Sequence, residues 1–355
     1  MHIHLFTLLV FFQSFTACQQ DQERTRPLAA SIGALSVVDS LRTPETAANI
    51  VFQSVDGGQS WQDVSAGLPN NVSTEGVFIS GGEVFLGTGN GLYRSSSTAR
   101  APVWQKEFLL EGRINDVFPG RAGLYATSYA HGLFQNLAGT GMWHAVSTSL
   151  PDKSVRTVLE SADGSIFLGT DSGIFKSADG GKTWKQVFAG GIVLDLVAAG
   201  NVLIGGSFLG VLRSTDGGEH WAEVLNETIL AKKTGLLGDR FVTILGTEDP
   251  EQVNPEGVTQ RLRVSADGGQ TWQRMEQPLL PLQGAYDMDA SLLQVRDIHD
   301  IVQLGEILFC SFDTGIYRSL DQGKTWLLVY PSDGKSRFTL GVSGKVVYAV
   351  QGGGC

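Results

Sequence analysis

Ser177-Ala-Asp-Gly-Gly-Lys-Thr-Trp184 returns at four other places in the chain. The copies are Ser54-Val-Asp-Gly-Gly-Gln-Ser-Trp61, Ser214-Thr-Asp-Gly-Gly-Glu-His-Trp221, Ser265-Ala-Asp-Gly-Gly-Gln-Thr-Trp272 and Ser319-Leu-Asp-Gln-Gly-Lys-Thr-Trp326. Together they define the pattern S-x-D-x-G-x-[ST]-W. An Asp oxygen can accept backbone N–H groups in a tight turn, and Gly permits the positive φ such turns need. The Trp brings a large apolar face for packing between layers. Asp56, Asp179, Asp216, Asp267 and Asp321 are therefore read as staples of five equivalent hairpins, with Trp61, Trp184, Trp221, Trp272 and Trp326 as their packing partners. Catalysis requires one asymmetric site, whereas these carboxylates recur five times.

Two further copies are decayed. Asn136 to Trp143 keeps the eight-residue spacing but has Ala138 in place of Asp, and Ser95 to Trp104 is longer and has lost both Asp and Gly. Counting these gives seven units and seven Trp, at successive spacings of 43, 39, 41, 37, 51 and 54 residues. A repeat near 40 residues with four strand-like runs is the spacing of a β-propeller. The expectation is an all-β fold: one seven-bladed propeller with four antiparallel strands per blade. In the clearest unit the strands are A, Arg156 to Glu160; B, Ser165 to Gly169; C, Gly173 to Ser177; and D, Trp184 to Phe188. The chain ends supply two halves of one blade. Arg337 to Val342 and Lys345 to Val350 form an A and B pair without the motif, and Ala48 to Gln53 forms a strand C with no A or B before it. Joining them closes the ring and leaves no open sheet edge.

Composition agrees with many short strands. The 355 residues include 45 Gly and only 17% charged residues. A formal net charge of -10 argues against phosphate-backbone binding, so no nucleic-acid partner is expected. At the N-terminus the apolar run Leu5 to Phe12 is too short to span a membrane and reads as a secretion signal. The small residues before Cys18 resemble a bacterial lipobox, although no Lys or Arg precedes the apolar run and Phe15 stands where Leu is usual. Lipidation at Cys18, with periplasmic or outer-membrane placement, is the expectation; an ordinary cleaved signal is the alternative. The chain then divides into a signal at 1–18, a linker at 19–45 and the propeller at 46–355. Cys310 reads as a small core residue, and its pairing with Cys355 stays open. No Cys/His cluster has metal-ligand spacing, so neither metal nor cofactor is expected.

Propeller connectivity sends the D–A and B–C loops to one face and the A–B loops, with every motif turn, to the other. On the first face fall a long B–C insertion, Thr247 to Gln260, and a long D–A connection, Met275 to Gln294. Cations near the starts of A strands fall there too: Arg113, Arg156, Lys232 or Lys233, Arg296 and Arg337. A ring of such cations around the channel mouth would suit an anionic ligand or an acidic segment of a partner. The competing reading pairs each Arg with an acid such as Asp116, Glu160 or Asp297. Short B–C loops add Tyr129, His131, Asp171, Phe208, Phe312 and Asp313 to this face.

The repeated octapeptide is similar to the Asp-box, or BNR repeat, of sialidases, sortilin-type receptors, xyloglucan-degrading glycosidases and propellers like the photosystem II stability and assembly factor. The chain resembles the last group most, over about residues 46 to 351. That resemblance implies a monomeric, non-catalytic module that binds a protein or an anionic ligand in the cell envelope. The alternative is a glycoside hydrolase of sialidase-like or xyloglucanase-like type. A sialidase would need an Arg triad, a Tyr nucleophile with a Glu partner and an Asp acid; no Arg-Ile-Pro motif is present near the start. Carboxylate pairs for a two-acid hydrolase could be Asp287 with Asp289 or Asp297 with Asp300.

Overall fold

The computed structural model describes residues 49–352 apart from 71, 81, 98–102, 108–109, 111, 129–130, 139, 147–149, 151, 227–229, 247–261, 276–297 and 334–335. The signal, the linker, Cys18, Arg296 and Cys355 lie outside the described residues. So do Tyr129, Asp287, Asp289, Asp297 and nearly all of the two long connections.

Seven four-stranded antiparallel sheets form the blades of a ring. The unit chosen from sequence has strands Thr157–Glu160, Ile166–Thr170, Gly173–Ser177 and Lys185–Phe188, within a residue of the expected bounds. Blade 1 is the shared one. Its A and B strands are Arg337–Ser343 and Val346–Gly352, its C and D strands Val51–Ser54 and Gln62–Asp63. Val51 pairs with Val350 and Ser54 with Val347, so main-chain hydrogen bonds between the two chain halves close the ring. The innermost strands of blades 2 to 7 are Thr74–Ser80, Asp116–Gly120, Thr157–Glu160, Val193–Ala199, Leu230–Leu237 and Ile298–Leu304.

Burial follows position in the blade. Strands B and C are covered on both faces by the neighbouring sheets, so they carry continuous apolar runs such as Val84-Phe85-Leu86 and Ile166-Phe167-Leu168. Outer D strands have one side free and read as polar, as in Gln62–Asp63 and Gln273–Arg274. Among the described residues seven apolar clusters fill the junctions between blades, and each includes one Trp. Every Trp packs toward the preceding blade. Trp221 meets Phe167 edge-on at 6.4 Å between ring centroids, and Trp61 meets Phe309 in the same way. Even the Trp of the decayed copies, Trp104 and Trp143, keep this role. Cys310 is a buried member of one cluster, and burial pushes its thiol well above the usual range.

The repeated octapeptide is a closed hydrogen-bonded turn. Asp179 Oδ1 accepts from Ser177 Oγ (2.8 Å), Lys182 N (3.0 Å) and Thr183 N (2.9 Å), while Oδ2 accepts from Thr183 Oγ1 (2.6 Å). Ser177 Oγ in turn accepts from Gly181 N (2.8 Å). The side-chain and main-chain bonds from Thr183 hold the Asp179 carboxyl down to about 2. The other four copies repeat this set, with His220 Nδ1 replacing the hydroxyl on Asp216. Glycine is required here twice over. Gly218 has φ +78°, and a Cβ on it would lie 2.2 Å from Phe167 of the neighbouring blade.

Candidate functional site

The A strands of blades 3 to 7 begin at the channel mouth with a bulge. In blade 3, Asn115 N bonds to Thr127 O at 2.9 Å although Asp116 is the residue paired with Thr127. Blade 4 does the same with Arg156 and Thr157 against Gly169. Register shifts mark the same irregularity at Leu194, Lys232 and His299. An extra residue turns the next side chain inward. Asp116, Thr157, Asp195, Lys233 and Asp300 are those next residues, so successive blades aim them into the axial channel at one level.

Most of these groups tie one blade to the next. Asp195 accepts from its own Leu196 N (2.9 Å) and from Thr234 N of blade 6 (2.9 Å). Asp300 accepts from Ile301 N (2.8 Å) and from Leu340 N of blade 1 (2.9 Å). Lys233 Nζ adds a 2.7 Å ion pair to Asp300. Asp116 accepts from Val117 N (2.8 Å), and among the described residues no N–H of a neighbouring blade reaches it. Gly76 stands opposite in blade 2, where a Cβ would come within 2.7 Å of Asp116 Oδ1.

Among the described residues the level therefore holds three carboxyls and one ammonium. Burial in the channel pushes the Asp116 carboxyl up to about 7, and Asp195 and Asp300 add to the rise while Lys233 opposes it. Burial also raises Asp195. For Lys233, burial works against the charged form, but Asp300, Asp195 and Asp116 outweigh it, and the net shift is upward.

The cations expected at the mouth do not share one strand position. Arg113 precedes its strand and pairs with Glu75 of blade 2 through Nη2, at 2.8 and 2.9 Å to the two carboxylate oxygens. Arg156 Nε pairs with Asp171 in the B–C loop of its own blade. Lys232 packs over Gly246, and Arg337 is exposed as the first residue of its strand. Lys233 points deeper, to Asp300. The acids proposed from sequence as partners take other places. Asp116 lies in the channel level, and Glu160 accepts from Arg121 N at the far end of its strand. His299 Nε2, not anticipated, meets Asp313 Oδ1 at 2.6 Å. Phe312 is buried against Tyr317 and does not reach the face, whereas Phe208 and Leu209 are exposed there, at 39% and 42%. Among the described residues no group of acids, His and Cys could hold a metal ion.

The Asp level is hard to see in the sequence because its members lie on separate blades and only the ring brings them together. One signal was available: Asn115-Asp116-Val117, Leu194-Asp195-Leu196 and His299-Asp300-Ile301 place Asp before an aliphatic residue at three A-strand starts.

Comparison with known proteins agrees on the fold. The family model for the BNR/Asp-box repeat matches residues 263–274. A search of the curated proteins finds no sequence match. Among solved structures, YCF48 from Cyanidioschyzon merolae is similar at 14% identity and TM-score 0.55, over 80% of this chain and 96% of that one. The extracellular domain of BT4673 from B. thetaiotaomicron is similar at 13% identity and TM-score 0.56, over 76% of this chain. An ancestral GH74 enzyme is similar at 16% identity and TM-score 0.53, over 85% of this chain. This chain spans 34% of the BT4673 domain and 45% of the GH74 enzyme. At these identities the likeness concerns the fold: the chain is a seven-bladed β-propeller in which residues 263–274 match the BNR/Asp-box repeat.

Proposed function

We propose that this propeller is a non-catalytic binding module of the cell envelope, exported and lipid-anchored through Cys18, that takes a segment of a partner protein at its channel mouth. One observation carries the reading: the recurring carboxylates are occupied as structure. The box Asp accept the N–H and O–H groups of their own turns, and Asp195 and Asp300 accept main-chain N–H groups of adjacent blades. What faces solvent at the mouth is of a different kind. Exposed Phe208 and Leu209 in blade 5 lie between Arg156 of blade 4 and Lys232 of blade 6, and aromatic and Arg side chains are the usual anchors of protein interfaces. An anionic group on the bound segment would meet Arg156, Arg337 and Lys232.

Capture from envelope extracts tests this. Wild type should retain a partner that Phe208→Ala/Leu209→Ala and Arg156→Ala/Arg337→Ala each release. Equal capture by all three proteins refutes the assignment of the mouth.

A glycoside hydrolase is the second reading, and Asp116 favours it: a carboxyl half-protonated near neutral pH is suited to general acid catalysis. Turnover of β-glucans or sialosides by purified protein, lost in Asp116→Asn, would make that reading primary.

A further inference from the structure

Three blade junctions share one device. The basic residue just before the box Ser reaches over to the box turn of the next blade. Lys176 Nζ donates to Gly217 O (2.8 Å), Arg213 Nε to Gly268 O (2.7 Å) and Arg318 Nη1 to Gly57 O (2.9 Å). The strand-B residue opposite each cation, Phe167, Ile204 or Phe309, is covered by the next box glycine, Gly218, Gly269 or Gly58. A turn with a free carbonyl and no Cβ fits each of these walls.

Blade 2 carries the same wall, with Phe85 opposite Arg94. Its neighbour is blade 3, whose box is decayed. Ala138 has replaced the stapling Asp, and Thr140 stands where the covering glycine should be. The turn is tied back to its own blade instead, through Ala138 N to Ala122 O (2.7 Å) and Thr140 N to Leu137 O (3.1 Å). Arg94 swings to acids of its own blade, with Nε 2.5 Å from Glu107 and Nη1 3.4 Å from Glu83. The wall and the turn border an open pocket of about 520 Å³, lined by Phe85, Arg94, Glu83, Glu107, Arg121 and Ala138 among others.

We infer that this cavity is a docking site for a glycine-containing turn of another polypeptide, one of whose main-chain carbonyls accepts from Arg94 while its glycine lies over Phe85. The argument rests on the three intact junctions, which display the shape and polarity this wall receives. Phe85 is only 5% exposed, too little to serve as a stacking platform for a sugar or nucleobase ring. The site is on the box face, opposite the channel mouth, and does not depend on the function proposed for the mouth.

The probe is a fluorescein-labelled cyclic peptide containing residues 265–272 of this chain, followed by fluorescence anisotropy. Wild type should bind it saturably. Arg94→Ala should weaken binding about tenfold or more at unchanged Tm, and Arg94→Lys should largely retain it, since Lys176 fills the same role in blade 4. Rebuilding the box with Asn136→Ser, Ala138→Asp and Thr140→Gly should raise Tm and abolish binding by filling the cavity from within. Absence of saturable binding to wild type overturns the inference, as does equal binding by Arg94→Ala. Equal binding by a rebuilt variant of raised Tm does so too; should that variant fold poorly, the Arg94 pair decides alone.

Discussion

Replacing Asp116 with Asn should stabilise the protein at pH 8 and leave it unchanged at pH 4. The amide oxygen keeps the 2.8 Å bond from Val117 N, so only the charge is removed. In the folded ring the carboxyl is pushed up to about 7 from 3.8, so between those values the native state holds a proton that the unfolded chain has released. Stability of the wild type therefore falls as pH rises through that window, which is the sign for a carboxylic acid whose folded value is raised. At about 1.4 kcal/mol per tenfold change in proton affinity, the ceiling is about 4 kcal/mol. Asp116 is half-buried, so solvent screening brings the expected gain for Asn at pH 8 to about 2 kcal/mol. Urea unfolding followed by tryptophan fluorescence, at pH 4, 6 and 8, measures it directly. The two proteins should have nearly equal midpoints at pH 4 and diverge progressively from there up to about pH 7. Parallel profiles, or a less stable Asn variant at pH 8, would refute the idea that burial in the channel disfavours the charged form of Asp116.

Three other substitutions probe neighbouring parts of the reasoning. Lys233→Met leaves Asp300 without its ion-pair partner, and because Lys233 is partly solvent-exposed the cost should be about 2 kcal/mol by urea unfolding at pH 7, partly recovered in Lys233→Met/Asp300→Asn. Gln322 sits at φ +59° where the other four intact boxes carry glycine, so Gln322→Gly should raise stability by about 0.5–1 kcal/mol and Tm with it. Gly218→Ala combines a positive φ with a Cβ driven into Phe167, and a loss of about 2–3 kcal/mol is expected in the same assay.

The parts of this protein that could be read in one dimension are those whose partners lie a few residues apart. An eight-residue turn that satisfies its own carboxylate announces itself wherever it occurs, and so Asp179 and Ser177 were assigned their roles without any long-range information. The closing strand was legible for a related reason: Val51–Ser54 is a strand C lacking A and B, and only the far end of the chain offers them. By contrast, the pairing of Arg113 with Glu75 joins residues on different blades, 38 positions apart, and no local pattern marks it. Where each cation points was likewise beyond the reach of spacing. One extra residue at the start of an A strand moves the next side chain into the channel, which put Lys233 at a deeper level than Lys232.

Sequence alone thus determined seven blades, four strands in each, the structural role of the boxes and the manner of closure, because each follows from local turn chemistry repeated at a regular interval. Tertiary structure alone decided which charges meet. Asp116, Asp195, Lys233 and Asp300 belong to four separate blades and become electrostatic neighbours only when the ring is shut. The same holds for the pocket beside Arg94, whose lining comes from strands and a turn of two blades, 2 and 3. Proximity across a closed ring is set by the curvature of the whole assembly, and no interval along the chain encodes it.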